Sequence, residues 1–269
     1  MRERAVLILA GPDDLSSELV GLRLQERGCR VLQASWVDLA LARWWHSPDD
    51  ESGTTIVLPD GCVLDDADIG VVLNRLDGVF LPQFSQAPAE DRDYAAAEFS
   101  ALLSSWLNGL EVPVANPPGG ENAWAASLHP LGWHALASAH ELAVGDFFVA
   151  SSLRGGACSG LGRVGGSIYP RSSDVAGWYR NPVAAGELRW LWIFGESWYG
   201  QVNDDLAARC PAFVQALGLG YAALGFAPSA EGLRLVEVAP RPPLDDEALA
   251  GCCADWLHAA LATASECTP

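Results

Sequence analysis

Lysine is absent from this chain. Its 16 basic residues are all arginine and stand against 34 acids, which leaves a formal net charge of −18. Coding bias in a GC-rich genome accounts for part of that exchange, but the chemical exclusion holds either way. No Schiff base, no phosphate-loop lysine and no lysine general base can form. The negative surplus repels a phosphate backbone or an anionic membrane surface, so neither nucleic acid nor membrane is an expected partner. Long apolar runs are also missing. The opening run at 5–10 is too short for a signal peptide, and Asp13 and Asp14 follow it; a cytoplasmic protein is expected. The seven cysteines are odd in number and contain no CxxC pair, which argues against a disulfide framework and against zinc. Cys158 has no sequence neighbour that would lower its pKa. The five histidines show no ligand spacing, and His129, His134 and His140 are expected on one helix.

What is present suits a large buried core, since half of the 269 residues are apolar. The first hundred or so residues alternate strand and helix. Residues 5–11 form a continuous apolar run suited to a buried parallel strand. A helix is expected from Asp14 to Arg27, with Leu15, Leu19, Val20 and Leu22 as its apolar positions and Gly28 as its stop. Strand 29–34 and a short helix carrying Leu39, Leu41 and Trp44 follow. Residues 54–65 read as a hairpin turned by Pro59-Asp60-Gly61. After strand 71–74, a long helix at 94–110 carries Phe99, Leu102, Leu103, Trp106 and Leu110 on one stripe, and 112–116 is one more strand. This alternation implies a mainly parallel sheet covered on both faces.

The segment Pro117 to Gly120 is the expected linker. Beyond it the pattern predicts a helix over 121–142, a strand at 147–151 and a glycine-dense loop at 154–166. Hairpins follow at 188–194/197–202 and 221–228/233–240. A helix that is broken or kinked near Pro211 lies between them, and a final helix covers 245–262. Of the 11 tryptophans, Trp124, Trp133, Trp190, Trp192 and Trp198 are placed to serve either core or interface.

The ordered pieces carry a resemblance. Residues 72–76 read V-L-N-R-L, and 91–118 read as a long helix running into V-P-V-A-N-P-P. The glycine-rich loop, the R-W-L-W-I-F-G turn at 189–195 and the closing E-V-A-P-R-P at 237–242 complete the set. Together they resemble the ATP-grasp superfamily, in its glutamate-ligase-like and peptide-maturing branches, over nearly the whole chain. The resemblance implies an α/β fold. A Rossmann-like pre-ATP-grasp domain would span 1–118, and a reduced α+β ATP-grasp domain would span 119–269.

The resemblance also implies sites. The family holds its triphosphate with two lysines, and its magnesium with an acid on one late strand plus the Glu and Asn of E-V-N on the next. Here Glu237 matches the glutamate. Ala239 stands in place of the asparagine, and Gly225 or a neighbour in place of the acid. The first lysine position falls on Ala150, Ser151 or Ser152. The features that survive are Arg154, Gly155, Gly156, Gly160, Gly162 and Arg163 as nucleotide-cradle positions, Arg189 and Arg241 as catalytic positions, and Arg75 and Glu98 as cleft positions.

Two functions follow. The one these departures favour is a degenerate, non-catalytic accessory or recognition subunit in peptide or natural-product modification. It would have no cofactor, a protein or peptide partner, and an oligomeric state left open. The alternative is an active ATP-dependent carboxylate–amine ligase. It would use ATP and Mg2+, with arginines at 154, 163 and 189 in place of the lysines and Glu237 on the metal.

Overall fold

The structure is a computed structural model that describes residues 4–47, 53–119, 122–125, 130–144, 147–150, 162–164, 177–180 and 188–266. The chain divides into two compact units. The first is Met1–Ser127 with Gly218–Ala222 and Pro240–Pro269; the second is Leu128–Leu217 with Ala223–Ala239. A single cut at 118/119 therefore does not describe this division, because the carboxyl-terminal segment packs with the first unit.

The first unit is built on a four-stranded parallel sheet. Strands β1 (Ala5–Ala10), β2 (Val31–Ser35), β6 (Ile69–Asn74) and β7 (Val114–Ala115) take the order β2-β1-β6-β7. Every residue of β1 and β6 is buried, as their unbroken apolar runs require of strands covered on both faces. On one face Leu7, Leu9, Ile69 and Val72 join Leu103, Trp106 and Leu107 of α3 (Ala89–Gly109) in a single core cluster. Ile56 and Leu64 belong to the same cluster. They come from β4 (Thr55–Val57) and β5 (Val63–Asp65), the expected hairpin, which gains a third strand in β3 (Arg43–Trp45).

The other face is covered by α1 (Leu15–Glu26) and α7 (Glu247–Glu266), which pack on each other and on the sheet. That position for α7 was not legible in the sequence. It changes the buried face of α1, which consists of Ser16, Ser17, Val20, Gly21 and Leu24, whereas Leu15 and Leu22 are 65% and 55% exposed. Small residues let α1 approach its neighbours closely. A Cβ on Gly21 would lie 2.4 Å from the Gln33 side chain.

Other local differences have local causes. Helix α2 (Trp36–Leu41) is held by a capping box between Ser35 and Asp38 and ends at Leu41. Trp44 then lies on β3, its indole N–H donating to the Leu39 carbonyl at 2.9 Å and its ring edge-on to Trp106. Helix α3 starts at Ala89 rather than Tyr94, after Pro88, with Glu90 and Asp91 in its first turn. The expected linker contributes β8 (Pro118–Gly119), paired with β9 (Asn122–Ala125). The next helix, α4, is Pro130–Ala139, with proline at its start, and not 121–142. His134 rides on it, His140 lies just beyond it, and His129 is outside the described residues.

The second unit holds two sheets. One has the order β10-β12-β11, from β10 (Phe147–Ala150), β11 (Gly162–Val164) and β12 (Gly177–Arg180). The other has the order β14-β13-β15-β16, from β13 (Arg189–Phe194), β14 (Ser197–Gly200), β15 (Tyr221–Ser229) and β16 (Gly232–Ala239). Both expected hairpins are present, and the first two residues of β15 fall in the first unit. The helix broken near Pro211 is two helices, α5 (Asp204–Ala207) and α6 (Cys210–Ala216), with Pro211 in the opening turn of the second.

Candidate functional site

In the second unit the positions that the resemblance gives to the metal lie on β15 and β16. Glu237 is paired with Gly225, and Ala239 with Ala223. Directly opposed residues, and residues two apart, share a sheet face. Glu237, Ala239, Gly225 and Ala223 therefore form a square on one face, and Glu237 supplies its only side-chain oxygens. This fixes the register: Gly225 is the position across from the glutamate.

Gly225 also has little room for a side chain. A Cβ there would stand 3.2 Å from Glu237 Cβ and 3.2 Å from Cη2 of Trp190 on β13. The Trp190 indole thus fills the space that an acid at 225 would occupy. A magnesium ion needs several hard oxygen ligands, and these four positions do not offer the acid–Glu–Asn set that the resemblance implies. Among the described residues no group of three or more His, Cys, Asp or Glu side chains is placed to hold a metal. Arg189 opens β13 and is exposed. Arg154, Gly155, Gly156 and Gly160 lie outside the described residues. Gly162 and Arg163 are on strand β11, paired with Arg180 and Tyr179, and not in a loop.

The remaining positions, Arg75, Arg241 and Glu98, belong to the first unit. Arg75 follows β6 and is 3% exposed. Its Nε and Nη2 donate to the two Asp14 carboxylate oxygens at 2.7 and 3.1 Å, and its Nη1 donates to the Pro242 carbonyl at 3.0 Å. Burial works against the Arg75 charge. Tyr221 and Asp14 outweigh it and hold the guanidinium pKa above its ordinary value. Burial likewise pushes the Tyr221 hydroxyl up to about 12. Arg75 is therefore a buried clamp and not an open cleft residue, and its partner Asp14 is also the N-cap position of α1.

Arg241 is ion-paired with Asp77 at 3.0 Å, and both are part-exposed. Beside them, at the carboxyl ends of β1 and β6, lies a cleft of about 580 Å³ lined by Gly11, Asp13, Asp14, Trp36, Asp77 and Arg241, among others. In open α/β sheets this switch point, where successive strands leave in opposite directions, is where ligands bind. Glu98 is elsewhere, exposed on the outer side of α3 and lining a separate groove.

Three positions beside the candidate site residues were not singled out for it in the sequence. Asp14 and Asp77 gave only a helix-start signal and a loop acid. Trp190 looked like any strand aromatic, since nothing local marks it as the neighbour of residue 225.

No protein-family model matches the chain, and no curated protein does. Solved structures do match. The macrocyclase MdnC bound with precursor peptide MdnA from Microcystis aeruginosa MRC superposes with a TM-score of 0.74 at 11% identity, covering 94% of this chain and 99% of that one. A Chryseobacterium gregarium RiPP-associated ATP-grasp ligase, in complex with ADP and a leader and core peptide, gives 0.75 at 12%, covering 95% and 97%. The ATP-grasp ligase PsnB, complexed with minimal precursor, Mg and ADP, gives 0.71 at 16%, covering 96% and 98%. The fold of this chain is thus the α/β fold of ATP-grasp ligases.

Proposed function

We propose that this protein handles a peptide, as a member of the ATP-grasp machinery that modifies precursor peptides. The observation that carries this reading is the near full-length likeness to a macrocyclase and two ATP-grasp ligases solved with precursor, leader or core peptides. The charge disfavours nucleic acid as a competing client, because a chain at −18 repels a long phosphate backbone. No described helix is long and apolar enough to cross a membrane.

The comparisons favour the ligase form of this reading over the accessory form that the sequence suggested, because these matching structures are of ligases and a macrocyclase. A ligase of this kind joins a carboxylate to an amine as ATP is converted to ADP and phosphate, with water formally removed from the two groups. Arginine binds phosphate oxygens in place of lysine, and Arg189, exposed at the head of β13 beside Trp190, is the described residue we assign to that role. Glu237 is the carboxylate we assign to a metal.

One observation favours the accessory form. The Gly225–Glu237 pair is closed by Trp190, with Ala239 beside it. A protein built this way would keep the peptide and lose the nucleotide.

Calorimetric titration of the full chain with ATP, with and without Mg2+, separates the forms. Micromolar, magnesium-dependent binding that Glu237→Gln abolishes supports the ligase. Its absence supports the accessory subunit. Selection from a displayed random peptide library tests the shared premise, and failure to enrich any peptide sequence would remove both forms.

A further inference from the structure

We infer that the groove along the outer side of α3 docks a short, cationic, amphipathic polypeptide segment. The groove, of about 690 Å³, lies wholly within the first unit. One wall is α3 itself. Asp91, Tyr94, Ala95, Glu98 and Leu102 recur at spacings of three and four, so they form one stripe of the helix. The other wall comes from the turn before the helix, through Leu81, Phe84 and Ala87.

The stripe is not spare core surface. Helix α3 already buries Leu103, Trp106 and Leu107 on its inner side, so it cannot rotate to bury the outer one as well. Tyr94 is left 68% exposed and Phe84 38% exposed. Large aromatics beside an apolar trough mark an interaction surface more than scattered exposed residues do.

Charge selects the occupant. Residues 80–110 carry four acids (Glu90, Asp91, Asp93 and Glu98) and a single base, Arg92. Glu90 and Asp91 sit in the first turn and complement the helix dipole, but Glu98 stands mid-helix and has no such local reason. Asp91 and Glu98 are two turns apart, roughly 10 Å along the helix. A segment that places Leu- or Phe-type side chains in the trough and Lys or Arg two turns apart over those carboxylates satisfies both features. A second copy of this chain is disfavoured, because each copy carries −18. Docking here uses neither Arg189 nor Glu237 and so goes beyond the proposed function.

The test uses the full chain and a fluorescent helical probe of about 14 residues, long enough to form a helix on binding. Leucines lie on one face and four lysines flank it. The expected result is saturable binding at physiological salt that weakens about tenfold, a loss of about 1.4 kcal/mol, in Ala95→Trp, which fills the trough without changing charge. Asp91→Arg/Glu98→Arg should lose the lysine probe and gain one with glutamates in place of the lysines. Tyr94→Ser reads the same surface if Ala95→Trp does not fold. Equal binding of a composition-matched scrambled probe, unchanged binding in both trough variants, or no binding at all overturns the inference. A chain dimer that Ala95→Trp dissociates also overturns it, by making a second copy the occupant.

Discussion

The side chain of Asn116 pairs with the backbone of Tyr221 as a neighbouring strand would. Its carboxamide oxygen accepts from the Tyr221 N–H at 3.1 Å, and its Nδ2 donates to the Tyr221 carbonyl at 3.0 Å. The same oxygen accepts from Gly220 N–H at 2.8 Å, and Nδ2 also meets the Pro240 carbonyl. Asn116 itself has a φ of 60°, a left-handed conformation that asparagine tolerates better than most residues. One buried residue thus binds two returning segments, Gly218–Ala222 and Pro240 onward, into the first unit.

Replacing Asn116 therefore leaves several buried backbone groups unsatisfied, each worth about 1–3 kcal/mol. Asn116→Gly should lose at least about 3 kcal/mol in urea unfolding. Asn116→Ala should lose about 1–2 kcal/mol more, because alanine adds the left-handed strain. Equal stability of the two variants would show that the backbone angle does not matter.

The Arg75–Asp14 pair is buried, with side chains 3% and 12% exposed. Breaking it strands a charge, so Asp14→Ala should cost about 3–5 kcal/mol, whereas Arg75→Met/Asp14→Leu should recover most of that loss. A double-mutant cycle by chemical denaturation measures the coupling. An additive cycle would show that the pair is not coupled.

Gly225→Asp forces a side chain against Trp190 and should cost about 1–3 kcal/mol of overpacking. Adding Trp190→Leu should relieve it. Once Ala239→Asn is added as well, magnesium-dependent ATP affinity should rise above that of the parent chain, read by calorimetry. If Gly225→Asp alone has the parent's stability, Trp190 does not close this position.

His134 on α4 is 8% exposed, and burial lowers its pKa from the ordinary 6.5. The unfolded chain then binds the proton more readily than the folded one. The associated stability is intact above about pH 6.5 and falls as the pH drops from there toward the depressed folded value, by at most about 1.4 kcal/mol per pH unit. Urea midpoints across pH 5–7.5 should show this slope, and His134→Gln should flatten it. An unchanged slope in the variant would assign it to other groups.

The elements legible in the sequence were those set by neighbouring residues. The apolar runs at 5–11 and 71–74 marked the central strands, because a strand covered on both faces has no polar side to reveal. Turn residues at 195–196 and 230–232 marked both hairpins of the second unit, since a tight turn fixes the register of the strands it joins. The absence of lysine and the excess of acid needed no structure at all. Glu237 stood out because a carboxylate within an apolar strand is unusual anywhere.

What only the tertiary structure decided depends on residues far apart in the chain. Sequence periodicity cannot say that α7 returns to cover α1, so it could not tell that Val20 would be buried while Leu15 and Leu22 stay exposed. It cannot find Asp14 for Arg75 across 61 positions, and so it left a buried clamp looking like an open site residue. Nor can it place the Trp190 ring beside Gly225 or leave the outer stripe of α3 uncovered. Local propensity is written in neighbouring side chains, whereas a packing partner is chosen only when long loops close, and the free energy that chooses it is spread over the whole core.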